Sequence, residues 1–145
     1  MKKILSLLIL PILLLTGCHI EEPSYQEPYY EEVKDLHINW IDLFNVELDT
    51  YYVYIYSVTC IQCSALRDDL VNYARKENSH LYFIYPSEDI TFTNDEELAL
   101  SSLNKSNLED IYIYTTPTLM EINKKIVSLY NKDYYEIRNI LGINN

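Results

Sequence analysis

The chain has 145 residues and a formal net charge of −11 at pH 7, from 22 acidic against 11 basic side chains. A chain this acidic repels phosphates and is a poor nucleic-acid binder, so no nucleic-acid partner is expected. Only Gly17 and Gly142 are glycines, which excludes glycine-rich phosphate loops and a dinucleotide-binding fingerprint.

The chain opens "MKKILSLLILPILLLTGC". Lys2 and Lys3 form a positive start, and Ile4 to Leu15 form an apolar run of 12 residues interrupted by Pro11. A spanning helix needs roughly 18 or more apolar residues. The run therefore reads as a secretory leader, residues 1–17, outside the folded domain. Leu15-Thr16-Gly17-Cys18 resembles the lipobox of bacterial lipoproteins. That resemblance implies cleavage before Cys18, lipid on its sulfur and an acylated new N-terminus. Losing the leader leaves 128 residues, enough for one domain with a real core, and moves the net charge to −13 because two lysines leave and no acid does. No polybasic segment is present to bind anionic lipid, so attachment to the extracytoplasmic face of the membrane is expected from the lipid alone.

Residues 18–33 carry two prolines and five glutamates with no apolar period, and are expected to form a tether. Its tyrosines leave open an arm that docks on the domain. The folded domain, 34–145, is expected to start near Lys34. "NWIDLFNVE" (39–47) predicts a short helix, with Asn39 as cap, Asp42 near the positive end, and Trp40, Ile41, Leu43 and Phe44 supplying its apolar face. "YYVYIYS" (51–57) predicts a strand buried on both faces. From Cys60 to Lys76 the period changes. Cys63, Leu66, Leu70, Tyr73 and Ala74 fall three or four apart, opposite Arg67, Asp68, Asp69, Asn72 and Arg75, which predicts an amphipathic helix. "HLYFIYP" (80–86) predicts a second strand, and "DEELALSSLN" (95–104) a helix. "TLMEI" and "IVSLY" around "NKK" predict an antiparallel hairpin. "KDYYEIRNIL" predicts a last helix with Tyr134, Ile137, Ile140 and Leu141 on one face, stopped by Gly142. The expected class is α/β: a mixed sheet with helices on both faces. Most of the 15 tyrosines read as core and strand filler.

Chemistry concentrates in "VTCIQCS" (58–64). Lipidation would consume Cys18, so Cys60 and Cys63 remain as one pair facing an oxidising exterior. A metal needs more ligands, and His19, His37 and His80 are scattered. A structural disulfide over so short a loop removes little chain entropy. A redox pair fits the placement: positions i and i+3 of a helix are neighbours, about 5–6 Å apart at Cβ. A thiolate at a helix N-terminus is stabilised by unpaired N–H groups and the positive dipole end.

Strand, Cys-x-x-Cys opening a helix, second strand, then "TTPTL" before a hairpin and a final helix: this order resembles the thioredoxin family over about residues 35–141. The resemblance implies a thioredoxin-like fold and a cis-proline at Pro117 packed against the cysteines, with Thr116 offering backbone hydrogen bonds to substrate. It also implies thiol–disulfide exchange with protein substrates, Cys60 attacking and Cys63 resolving, without a soluble cofactor; on a lipid-anchored chain a membrane partner is expected to restore the site. The sequence departs from the family pattern at Thr59, at Ile61-Gln62, and at Tyr54, where many members carry a buried acid. Those departures support a rival expectation: a binding or accessory lipoprotein whose cysteine pair is structural.

Overall fold

The computed structural model describes residues 30–143. The leader, Cys18 and residues 19–29 lie outside the described residues.

The sheet is built around one strand. β1 (Thr50–Ile55) consists of β-branched and aromatic residues. Its side chains alternate: Tyr51, Val53 and Ile55 enter one apolar cluster, while Tyr52 and Tyr54 enter the other. Both faces are covered, which is why the strand reads as a continuous apolar run. β2 (Leu81–Ile84) lies parallel to β1, with Tyr54 opposite Phe83. β3 (Thr118–Asn123) lies antiparallel on the other side of β1, with Tyr54 opposite Leu119 and Ile55 opposite Thr118. β4 (Ile126–Asn131) pairs with β3 as the expected hairpin. The order is β2-β1-β3-β4.

One face carries α1 (Ile61–Ala74), α3 (Tyr134–Ile140) and a 3-10 segment, Glu31–Leu36. Cys63, Leu66, Leu70, Ile137 and Leu141 pack there against Tyr54, Phe83 and Leu119. Each fully buried leucine contributes roughly 1.5–3 kcal/mol by leaving water. The opposite face is covered by Trp40, Leu43 and Phe44, by Ala99 of α2 (Glu96–Leu100), and by Ile111 and Ile113. The architecture is an α/β thioredoxin-like fold, a mixed sheet with helices on both faces, as expected.

Two local expectations are corrected. Residues 39–47 form only a 3-10 turn, Trp40–Asp42. The Asn45 N–H bonds the Asp42 carbonyl at 2.9 Å, while its side chain takes the Ile41 carbonyl at 3.1 Å, which a continuing α-helix would have needed. Asn39 does not cap through its side chain but donates to Asp42 at 3.3 Å, and Ile41 faces solvent at 69% exposure. The packed chain also begins before Lys34. Tyr30 and Val33 are fully buried, so the last residues of the expected tether form an arm docked on α1 and β2. A parallel bridge from His37 to Phe83 continues that arm along the outer edge of β2.

Candidate active site

β1 delivers the site. Beyond Ile55, Tyr56 still bonds the Ile84 carbonyl at 3.2 Å, and the chain then turns. The Ser57 hydroxyl braces the turn, accepting from the Thr59 N–H at 3.3 Å. Cys60 follows with extended backbone angles, as the N-cap of α1. Its carbonyl takes the first helical bond, from the Ser64 N–H at 3.0 Å. Its Sγ accepts the Cys63 N–H at 3.0 Å, so sulfur fills the place where a serine or aspartate oxygen usually caps a helix.

Cys60 and Cys63 form a disulfide with their Cα atoms 5.2 Å apart. The two sulfurs differ in access: Cys60 is half-buried and Cys63 is sealed beneath it. Ile61, between them, is 86% exposed, so the first turn opens to solvent on that side. No acidic residue stands in the first turn of α1 to oppose an anion on Cys60. The pair is placed like a redox site: an accessible sulfur at a positive helix end, with a covered one a turn behind.

The Thr116–Pro117 peptide is cis. Pro117 is buried and directly precedes β3, whose first residue, Thr118, lies opposite the last residue of β1. The register therefore brings Thr116 and Pro117 to the sheet end from which the Cys60 turn departs. The Thr118 hydroxyl donates to the Thr115 carbonyl at 2.7 Å, closing the chain around the proline. Cys18 lies outside the described residues.

Tyr54 stands on β1 under α1, fully buried. Among the described residues its hydroxyl finds no hydrogen-bond partner, and the Tyr30 hydroxyl beside it opposes its ionisation. Burial, then the Tyr30 and Tyr56 neighbours, push its pKa far above the ordinary tyrosine value, so it is no base at neutral pH.

Two residues next to the site escaped the sequence reading. The Tyr30 hydroxyl donates to the Cys63 carbonyl at 2.8 Å, in the buried interior. His37 bonds the Val33 carbonyl through Nδ1 at 3.0 Å and the Tyr56 hydroxyl through Nε2 at 2.7 Å. A carbonyl only accepts, so Nδ1 carries the proton in the neutral ring and Tyr56 donates to Nε2. Burial holds the His37 pKa below its usual value, opposed by the Val33 carbonyl and the Glu31 charge. The available signal was aromatic density, "PYY", inside an otherwise polar stretch.

No family model matches this chain, and no curated protein sequence does. Solved structures similar to it include the long form of thioredoxin f from spinach chloroplast, at 12% identity over 74% of this chain and 81% of that one, with a TM-score of 0.49. Thioredoxin f2 of Chlamydomonas reinhardtii is 17% identical over 75% of this chain and 93% of that one, with a TM-score of 0.46. A third is a thioredoxin mutant from Halobacterium salinarum, 13% identical over 75% and 90% of the two chains, with a TM-score of 0.44.

Proposed function

We propose that this protein is a lipid-anchored thiol–disulfide oxidoreductase on the extracytoplasmic face of the membrane. One observation carries the reading: the Cys63 N–H on the Cys60 sulfur at the start of a 14-residue helix, with Cys63 itself buried. In the reduced state that N–H and the helix end favour Cys60 as the thiolate, the reactive species. Leu15 to Cys18 support the anchor.

In the reducing direction, the Cys60 thiolate attacks one sulfur of a protein disulfide. The substrate S–S bond breaks, a Cys60–substrate disulfide forms, and the departing sulfur takes a proton from water. Cys63 then loses its proton and attacks the Cys60 sulfur. The mixed disulfide breaks, the Cys60–Cys63 bond forms, and the second substrate sulfur leaves and is protonated. Two electrons have passed from the dithiol to the substrate; oxidation is the same sequence reversed. Thr116 and Pro117 form the edge along which an extended substrate lies. A membrane dithiol or disulfide protein restores the site.

Replacing Cys63→Ser removes the resolving thiol, so mixed disulfides to Cys60 should accumulate in cells and disappear on reduction. Cys60→Ser should trap none. The rival reading, a binding lipoprotein with a structural disulfide, draws on Tyr54 standing in place of an acid. It prevails if Cys63→Ser traps nothing and the reduced protein leaves a protein disulfide intact.

A further inference from the structure

The arm that precedes the sheet reaches the cysteine pair through Tyr30. Tyr30 heads the Glu31–Leu36 segment and is fully buried, and its hydroxyl donates to the Cys63 carbonyl. Its ring is held edge-on to Tyr56, with centroids 4.3 Å apart, and lies 5.2 Å from Phe83 and 6.0 Å from Tyr54. The segment behind it is fastened to α1 by charge. Glu32 pairs with Arg67, and Asp35 pairs with Arg75 at 2.7 Å. Arg75 also donates to the Glu32 carbonyl. Tyr30 is thus fixed by its own ring contacts and by the segment it leads.

Within a helix the carbonyl of residue 63 is already the acceptor for the N–H of residue 67. It does not need a second donor. Packing does not need one either, because a phenylalanine would fill the same space with no hydroxyl to satisfy. The hydroxyl nevertheless ends on the first turn of α1, on the backbone of the resolving cysteine. A donor there offsets the negative end of the Cys63 peptide dipole and makes the first turn more positive. That favours an anion on Cys60. The disulfide carries no charge, so the reduced form gains and the oxidised form does not.

We propose that Tyr30 is a positioning residue for the Cys60–Cys63 couple, its hydroxyl shifting the couple toward the dithiol through the Cys63 carbonyl. The inference rests on the reading of these two cysteines as a redox couple. It assigns the docked arm a part in setting that couple's equilibrium, beyond holding the domain together.

The test equilibrates the full chain and its Tyr30→Phe variant with mixtures of reduced and oxidised glutathione at pH 7. In each exchange two glutathione thiols become one glutathione disulfide, and the Cys60–Cys63 bond takes up two electrons and two protons. The fraction reduced is read by alkylation and mass. The bond is already present in the disulfide form, and a single buried hydrogen bond contributes about 0.5–1.5 kcal/mol in all, so the share that differs between the redox forms should lower the constant for reduction in Tyr30→Phe, by at most about tenfold. The Cys60 thiol should titrate at higher pH, and the difference between the proteins should vanish below the pH at which Cys60 ionises. Urea unfolding of each redox form closes the cycle: the variant should destabilise the reduced protein more than the oxidised one, by the same factor. If both forms lose equal stability and the constant is unchanged, Tyr30 only packs and the proposal is overturned. The glutathione equilibrium needs no protein substrate. A chain inert toward protein disulfides would therefore sink the oxidoreductase reading while leaving the Tyr30 result to be judged on its own constant.

Discussion

Tyr54 and His37 sit in the same aromatic cluster and are held in opposite ways. Among the described residues the buried Tyr54 hydroxyl has no partner, so it costs desolvation and returns no bond. Tyr54→Phe keeps the ring and removes that cost. It should raise stability by about 1 kcal/mol, read as a higher urea midpoint at unchanged slope; an equal loss would show that the hydroxyl is bonded. His37 is bonded on both nitrogens, and its folded pKa is lowered by burial. The unfolded chain then binds the proton more readily than the folded one. Stability is therefore full above the unfolded value near 6.5 and declines as pH falls below it toward the lower folded value. Glu32, lowered by a backbone hydrogen bond and then by Arg67, and Asp35, lowered by Arg75, titrate below their ordinary values of 4.5 and 3.8, outside that window. Melting temperatures between pH 7 and 5 should fall in the native chain and fall less in His37→Gln. Parallel slopes would remove His37 as the cause.

At the scale of elements, what the sequence made legible was whatever had a strong period or a strong stop. β1, α1, the hairpin and α3 each combine an unbroken apolar pattern with a cap or turn, and each stands within a residue or two of its expected place. The 39–47 segment failed because Trp40, Leu43 and Phe44 satisfy three-and-four spacing in a single turn, and the pattern alone cannot tell a turn from a helix. The Tyr30 arm was left open beside the tether for a different reason: its partners, Cys63 and Phe83, are distant in sequence, so local pattern could suggest docking but not where. The cysteine pair and the proline were legible as residues. Their approach to one sheet end depended on the pairing of Ile55 with Thr118, a non-local fact. The hairpin offers its own prediction. Lys124 and Lys125 both have positive φ, 49° and 64°, the pattern of a two-residue type I′ turn, which favours Asn-Gly. Lys124→Asn with Lys125→Gly relieves left-handed strain at non-glycine residues and should stabilise the fold by about 1 kcal/mol. Thermal unfolding reads the gain directly, and an unchanged midpoint would mean that the lysine side chains hold the turn equally well.

Across the whole molecule, charge should govern which disulfides approach. With a net charge of −11, the reduced protein should react faster with cationic cystamine than with anionic glutathione disulfide, beyond their intrinsic difference. The ratio of rates should shrink between 20 mM and 500 mM salt as screening shortens the reach of the field; a ratio indifferent to salt would show that the acidic surface is turned away from Cys60. The strand order carries a further consequence, for the chain as it is made. β1 is central, yet its partners are synthesised well after it: Tyr54 waits for Phe83 and then for Leu119. Until then "TYYVYI" is a six-residue stretch without charge or proline, rich in strand formers and open on at least one edge. A nascent chain halted before Thr118 should therefore self-associate, visible as light scattering, where the complete chain stays clear. The strand that aims the cysteines is, on an unfinished chain, a template for aggregation, and the hairpin, which brings the later of its two strand partners, is what closes it.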